Sequence, residues 1–240
     1  MDELWTYYDV EMRFYEKLCG SVPASPDLID AWLRSRQPKV KPPDTKSIAE
    51  IKEEIFETLR EAPEEDDKNL LIFQRINGGL VVGSRTIKAH IKDCARVISA
   101  QHVGKIEGER AFSTRVINGV YPLETEYWLP ILDNEGKQVR EASGVTEKPV
   151  RFRTRTGQQL SALKAFEFVY RPTLRFTLKV LGKSVSLEDL KTVFNYGGTK
   201  GFAGERGDGE GKYIAALTAK DERRKDHAGE TTTASAAHAR

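Results

Sequence analysis

The amino-acid sequence predicts a mixed α+β fold whose core elements follow the order strand, helix, strand, strand, helix, strand. Several segments alternate apolar and polar residues at the period of a half-buried strand. Two others carry apolar residues at helical spacing. In chain order these elements are residues 8–14, 84–99, 149–157, 171–181, 186–196 and 211–220. This βαββαβ order is that of the ferredoxin-like core found in RRM-type domains.

Length and composition support one elaborated domain over residues 1–220. The chain has 240 residues, and its hydrophobic share of 39% is enough for a real core. Its 38 Lys and Arg residues stand against 36 Asp and Glu residues, which leaves a formal net charge of only +2. A nucleic-acid site must therefore be a local basic surface, because the global field is too weak to steer a polyanion.

Cysteine use and hydropathy exclude further classes of protein. Cys19 and Cys94 lie far apart and show no metal-ligand spacing, so we expect no disulfide framework and no metal site. We expect no cofactor either. The N-terminus is acidic and aromatic, unlike a signal peptide, and no apolar run approaches the ~20 residues that span a bilayer. These features predict a soluble, cytoplasmic protein without a membrane partner.

The N-terminal third contains the first core strand and a predicted insertion. Residues 8–14 alternate aromatic or aliphatic side chains with charged ones, which predicts a strand with one buried face. Ser25, followed by Pro26, is typical of the start of a short helix. Residues 37–68 combine a proline-rich basic stretch, a helical period and an acidic run, and we predict that they form a helical insertion.

Residues 70–99 predict a short strand, an Asn-Gly-Gly turn and a helix with two different faces. Ser84 is the expected N-cap of this helix. The aliphatic face consists of Ile87, Ile91, Ala95 and Ile98. The opposite face carries Arg85, Lys88, Lys92 and Arg96 at steps of three or four residues. One helix thus offers the core an apolar face and the solvent a basic one.

The second half of the chain alternates between regular and irregular segments. Residues 101–149 lack a helical period, and we predict a β-rich excursion with a hairpin turn at the sequence DNEG. Arg151 and Arg153 then fall on one side of the next strand. Ser186 is the expected N-cap of the second core helix. Residues 221–240 are polar with almost no large apolar side chain, which predicts a disordered tail.

The most unusual segment is glycine-rich and runs from residue 197 to residue 213. It contains seven glycines, and Lys200, Arg206 and Lys212 lie among them. Glycine permits positive φ and lets backbone N–H groups approach a phosphate, while the cations neutralise its charge. The segment lacks the ending of a Walker loop, and it runs from helix into strand, opposite to the dinucleotide fingerprint. The pattern predicts a polyanion site, with a plain solvent loop as the alternative.

Two short segments carry motifs of a known family. Residues 82–89, VGSRTIKA, are similar to a P-G-S-S-[LI]-K-G turn that opens a first core helix. Residues 201–213, GFAGERGDGEGKY, are similar to a G-x-G-x-x-R-x-x-G-x-G-[RK]-[FY] loop before a last strand. Together they resemble the RNA-binding backbone subunits of the RAMP superfamily of CRISPR proteins. Val82, Arg85 and Ala89 depart from the family pattern, which leaves the subtype open.

The resemblance implies a guide-RNA-binding subunit of an antiviral ribonucleoprotein. Such a subunit oligomerises along the RNA with copies of itself and other effector subunits, and it meets target nucleic acid through the guide. It holds phosphates on the helix and the loop, while a β-hairpin thumb, expected within residues 101–149, intrudes between bases. The candidate RNA-binding residues are Ser84, Arg85, Lys88, Lys92, Arg96, Arg151, Arg153, Lys200, Gly201, Arg206 and Lys212.

A catalytic role has three weak candidates. Some relatives cut target RNA with a metal and an aspartate after the first strand, where Asp27 and Asp30 lie, although helix N-termini commonly carry such charges. Another branch processes the guide precursor with a histidine near the first helix, where His90 borders the apolar face. A guide-processing endoribonuclease and an unrelated RRM-like RNA-binding protein are therefore the alternatives. Phe152 and Tyr170 are candidate platforms for stacked bases.

Overall fold

The computed structural model describes residues 4–24, 70–101, 110–123, 127–153, 159–182 and 184–220. The strands are β1 Trp5–Phe14, β2 Lys17–Cys19, β3 Val22–Pro23, β4 Leu70–Ile72, β5 Gln74–Ile76, β6 Gly79–Gly83, β7 Val120–Pro122, β8 Trp128–Pro130, β9 Gly144–Arg153, β10 Gln159–Tyr170, β11 Thr173–Leu181 and β12 Tyr213–Ala219. The helices are α1 Ser84–Ala100, α2 Arg110–Gly119 and α3 Leu187–Lys200. Strands and helices are mixed along the chain, which confirms the predicted α+β class.

A four-stranded antiparallel sheet with the strand order β12-β1-β11-β7 supports the main core. β1 lies between β11 and β12, with Trp5 opposite Leu181 at one end and Phe14 opposite Tyr213 at the other. The even-numbered side chains of β1 from residue 8 onward are buried, since successive Cβ atoms of a strand point to opposite faces. They pack with apolar side chains of α1, α2 and α3 in one hydrophobic cluster. The predicted first strand, residues 8–14, is confirmed.

The strand predicted at residues 149–157 does not belong to this sheet. Its described part is the end of β9, which pairs with β10 from Gly144 opposite Phe168 to Arg153 opposite Gln159. The partner of β11 in the four-stranded sheet is β7 instead. The prediction was wrong because β9 finds a long antiparallel partner in β10, a strand that the sequence analysis does not identify.

Two smaller sheets flank the four-stranded one. The first contains β2, β10, β4 and β3 in that order, with β9 on β10, and the second contains β5, β6 and β8. Asn77 and Gly78 have φ values of 52° and 71°, so the β5–β6 turn is the predicted Asn-Gly turn of a two-residue hairpin. Glu167 is buried and accepts hydrogen bonds from the Phe73 amide at 3.0 Å and from Arg75 at 2.5 Å. These bonds satisfy a charge that burial would otherwise penalise.

Residues 101–149 are not purely β-rich, because they contain α2. Two apolar side chains of this helix, Phe112 and Val116, are fully buried in the main core. One pair four residues apart is too weak a period to predict a helix from sequence. The predicted hairpin turn is confirmed, since the Asp133 carboxylate accepts hydrogen bonds from the amides of Glu135 and Lys137, both at 2.9 Å.

The two predicted helix caps have different outcomes. Ser186 caps α3 as expected: its side chain accepts from the Asp189 amide at 3.1 Å, and the Asp189 carboxylate accepts from the Ser186 amide at 2.9 Å. Ser84 does not cap α1, because the helix begins at Ser84 and the cap position is Gly83. β6 runs directly into α1, so the Ser84 amide donates to the Tyr127 carbonyl at 2.9 Å instead.

Some predicted elements lie outside the described residues. They are the short helix after Ser25 with Asp27 and Asp30, the insertion at residues 37–68 and the tail at residues 221–240. Among the helices of the described ranges, none combines the length and the apolar character needed to cross a membrane.

Candidate nucleic-acid interface

The glycine-rich loop between α3 and β12, residues 201–212, is anchored to the core by Phe202. This side chain is fully buried, and its ring centroid lies 5.2 Å from that of His90 and 6.1 Å from that of Phe14. The Phe202 amide donates to the Gly211 carbonyl at 2.9 Å, and the Gly211 amide donates to the Lys17 carbonyl at 2.9 Å. The loop is therefore fixed to the body of the fold by packing and by backbone hydrogen bonds.

Glycine is required at two positions of this loop for close backbone packing. At Gly204, a Cβ atom would collide with the backbone of Gly20, which the loop crosses. At Gly211, φ is +71° and a Cβ atom would collide with the Phe202 backbone. The glycines thus allow the close packing that shapes the loop.

Asp93 of α1 joins the loop to the helix. Its Oδ2 atom lies 2.6 Å from Lys200 Nζ and 3.2 Å from Arg206 Nη1. Burial raises the pKa of Asp93, but the hydrogen bond and charge of Lys200 and the charge of Arg206 outweigh it, so the pKa is lowered. α1 and the glycine-rich loop, which lie more than a hundred residues apart in sequence, are in this way brought into contact.

Acidic residues of the loop pair with lysines of the β9–β10 ribbon on the other side. Glu205 lies 2.5 Å from Lys164 Nζ, and Asp208 lies 3.5 Å from Lys148 Nζ. Lys148 also lies 3.9 Å from Glu210. The loop consequently bridges α1 and the ribbon. Sequence reasoning missed both lysines, because the ribbon they belong to was not predicted as one unit.

Arg85, Lys92 and Arg96 form the exposed basic face of α1. The two arginines are exposed and Lys92 is half-buried. Lys92 is seven residues from Arg85 and four from Arg96, and residues at these spacings fall on the same side of a helix with about 3.6 residues per turn. Arg96 is also three residues from Asp93, and residues so spaced are neighbours on a helix surface. The basic face of α1 therefore continues into the Asp93 contact with the loop.

Lys88 has a structural role that differs from the predicted phosphate contact. Its ammonium donates to the Ile117 carbonyl at 2.7 Å and to the Val120 carbonyl, at the C-terminal end of α2. It also lies 3.9 Å from the centre of the Tyr121 ring. Burial, with a contribution from the charge of Lys92, lowers the pKa of Lys88 to about 8. Lys88 points toward α2 because its position borders the buried face of α1.

The other predicted RNA-binding residues are spread around this surface. Ser84 is half-buried at the start of α1, Gly201 follows the end of α3 with φ of +87°, and Lys212 is exposed just before β12. Arg151, Arg153 and Phe152 belong to the end of β9, and their side chains lie outside the described part of the structure. Tyr170 is 49% exposed at the end of β10.

His90 lies beneath the loop, in the core. It is only 3% exposed, and its Nε2 atom is 2.8 Å from the Tyr213 hydroxyl. Burial lowers the pKa of His90 to about 4, and the nearby charges of Arg206 and Lys200 act in the same direction. The side chain is therefore neutral and packed at pH 7. Across the described ranges, no group of His, Cys, Asp and Glu side chains is arranged to hold a metal ion.

Comparison with known proteins finds likeness in solved structures. No protein-family model matches the sequence, and no curated protein matches it. A chain of the "Cryo-EM structure of the Type III-B Cmr-beta bound to cognate target RNA" is similar in structure, with a TM-score of 0.37 and 9% sequence identity. The match covers 90% of this chain and 60% of that chain. This chain thus spans less than two thirds of its neighbour, and so distant a likeness says nothing about the site.

Proposed function

We propose that this chain binds the phosphate backbone of a guide RNA as a subunit of a CRISPR ribonucleoprotein. The observation that supports this most directly is the contact of Lys200 and Arg206 with Asp93. It joins the glycine-rich loop to the basic face of α1, the two segments whose motifs resemble RAMP proteins. In this proposal the subunit oligomerises along the RNA in the cytoplasm and serves antiviral defence.

The topology of the four-stranded sheet supports a ferredoxin-like core. β1, β7, β11 and β12 are antiparallel and stand in the order β12-β1-β11-β7, with α1 between the first two in sequence and α3 between the last two. If these four strands are numbered 1 to 4 along the chain, their order in the sheet is 4-1-3-2. The βαββαβ connectivity produces this order with every neighbouring pair antiparallel. We propose that β7 takes the place predicted for the strand at residues 149–157.

The chemistry of the surface suits a ligand with repeated phosphates. Arg85 and Arg96 extend from α1 into solvent, and Lys212 is exposed at the other end of the loop. Cations of this kind contact phosphates without reading bases, so they fix position and leave sequence to base pairing. A local surface is sufficient here although the whole chain carries a formal net charge of only +2.

The β9–β10 ribbon is a better candidate for the thumb than the predicted range. β9 has 10 residues and β10 has 12, and their ladder runs from Gly144 to Arg153 on one strand. Residues 101–149 include only the first part of β9, together with α2, β7 and β8, of which α2 packs into the core. We propose that the distal ribbon, which includes Arg151 and Arg153, approaches the RNA.

Alanine substitutions on the basic surface test the proposed function. We expect Arg206→Ala, and the double variant Arg85→Ala/Arg96→Ala, to weaken binding of RNAs of different sequence alike. Each lost phosphate contact should reduce the slope of log affinity against log salt by about 0.7 for a single strand. Fluorescence anisotropy at several salt concentrations measures both quantities.

Arg13→Ala is the matched control for these variants. The side chain of Arg13, in β1, is 73% exposed and lies on the sheet face opposite the helices. Its loss should therefore change neither the RNA affinity nor the salt slope. If Arg206→Ala also leaves affinity and salt slope unchanged, the loop is not an RNA site.

A guide-processing endoribonuclease would need a reacting group that reaches RNA. His90 is buried against Tyr213 and Phe202, so the structure does not favour His90 as the reacting group. Asp27 and Asp30 lie outside the described residues. Incubation with a repeat-containing RNA separates the alternatives: site-specific cleavage that His90→Ala abolishes indicates the endoribonuclease, and binding as a monomer without polymerisation indicates an unrelated RRM-like protein.

A further inference from the structure

Asp93 is an acidic residue at the centre of a basic surface. Arg96 is its neighbour one helical turn on, Lys200 contacts it from the end of α3, and Arg206 contacts it from the loop. We propose that Asp93 holds the place of an RNA phosphate in the unbound protein and is displaced when the phosphate binds. The inference rests on the proposed function and adds to it an affinity-limiting residue that the motifs do not contain.

The geometry at Asp93 is that of a bound oxyanion. A single carboxylate oxygen, Oδ2, receives both cations, at 2.6 Å from Lys200 Nζ and 3.2 Å from Arg206 Nη1. A phosphate oxygen accepts charge-assisted hydrogen bonds from the same donors at similar distances. Lys and Arg also keep donors to spare, because an ammonium has three and a guanidinium has five. Lys200 and Arg206 are thus already oriented toward one anionic position.

The contact is open enough for exchange. The side chains of Asp93, Lys200 and Arg206 are 36%, 24% and 43% exposed. Ion pairs that solvent reaches are individually weak, so a phosphate of an otherwise bound RNA can replace one. A carboxylate left in place would repel that phosphate, and moving it away removes the repulsion.

The loop keeps its anchors when Asp93 releases its cations. Phe202 remains buried in the core, and Glu205 remains paired with Lys164 of the ribbon at 2.5 Å. The Gly211 amide still donates to the Lys17 carbonyl at 2.9 Å. Exchange therefore requires movement of side chains and leaves the loop backbone in position, which distinguishes Asp93 from a residue that merely folds the loop.

The variant Asp93→Asn tests the inference on the full chain with a labelled oligouridylate. Asn keeps the size of the side chain and removes its charge, which we expect to tighten RNA binding about fivefold near 0.1 M salt and to steepen the salt slope by about 0.7. The matched control is Glu188→Gln, which changes the net charge equally. Glu188 lies in the first turn of α3, about 20 Å along the helix from the loop, so affinity should stay near the wild-type value.

The double variant Asp93→Asn/Arg206→Ala distinguishes exchange from a general change of charge. We expect part of the gain to disappear when Arg206 is absent, because Lys200 is then the one cation of the pair that Asp93 still withholds from RNA. An excess of inorganic phosphate distinguishes the two possible ligands of these cations. If free phosphate is the ligand, it should compete equally with RNA for all variants. If RNA binding persists in the presence of phosphate, the RNA backbone is the ligand.

Three results would overturn the inference. Affinity equal to or below the wild-type value in Asp93→Asn means that Asp93 does not compete with RNA. A full gain that persists without Arg206 means that only the general field changed. If the wild-type protein binds RNA and either of these two results is found, the inference fails and the proposed function stands. The third result is a wild-type protein that binds no RNA, in which case both the inference and the proposed function fail.

Discussion

Burial of His90 makes the stability of the protein depend on pH. The pKa of His90 is about 4 in the folded state, against an ordinary value of 6.5. Between these values the unfolded chain binds a proton that the folded protein excludes. The contribution of neutral His90 is therefore fully present above the unfolded pKa, and it decreases as pH falls from 6.5 toward 4, by up to about 3 kcal/mol in the free energy of unfolding.

The variant His90→Gln tests this pH dependence, because glutamine retains a polar group near Tyr213 and does not titrate. We expect the loss of stability between pH 7 and pH 4.5 to be smaller in the variant than in the wild-type protein. Urea denaturation at the two pH values gives the comparison, in which other titrating groups are common to both proteins. Equal losses in the two proteins would mean that His90 is protonated as easily in the folded state as in the unfolded chain.

At the scale of single residues, the sequence predicts chemical type better than partner. Lys88 was predictable as a cation of α1, but its carbonyl acceptors are Ile117 of α2 and Val120 at the start of β7, two elements that periodicity does not predict. Asp93 escaped the prediction for a similar reason, since its hydrogen bond with Lys200 joins residues 107 positions apart. Such pairs depend on the packing of elements, which periodicity alone does not specify.

The packing of α1 against α3 depends on Gly197. A Cβ atom there would collide with the Tyr213 hydroxyl and lie 2.6 Å from His90 Nε2. We expect Gly197→Ala to lower the free energy of unfolding by about 1–3 kcal/mol, because overpacking forces the helices or the Tyr213–His90 pair to shift. Urea denaturation at pH 7 measures the loss.

Gly207→Ala is the control for Gly197→Ala within the same glycine-rich segment. An added Cβ at Gly207 meets nothing within 4 Å. Its stability should stay within about 0.5 kcal/mol of the wild-type value, as surface substitutions usually do. If the two variants are equally stable, close contact at Gly197 is not what joins α3 to the core.

The elements that could be predicted are those with one buried face. In β1 from residue 8 and in β11 apolar residues alternate with polar ones along the sequence, and α3 has a capping box at Ser186. β10 could not be predicted in this way, since Ala165, Phe166 and Glu167 are all buried in succession and the strand shows no alternation. β7 has only three residues, too few for any period.

At the scale of the whole molecule, the segments that carry the two motifs, α1 and the loop, contact each other through Asp93 and Arg206. The contact between loop and α1 follows from the fold, because α1 and α3 pack together in the main core and the loop continues from the end of α3. The sequence could not predict the ribbon on the other side of the loop, where Lys148 and Lys164 pair with its acidic residues. The predicted site therefore lacked the acidic residues of the loop and the two lysines of the β9–β10 ribbon.

The central claim is that this protein assembles along RNA through its loop and basic helix. Native mass measurement of the protein co-expressed with a repeat-containing RNA, combined with nuclease protection of that RNA, tests it most directly. We predict evenly spaced oligomers whose number of copies rises with RNA length, protected fragments at a regular interval, and loss of both in Arg85→Ala/Arg96→Ala/Arg206→Ala. A wild-type monomer that leaves the RNA unprotected would contradict the claim.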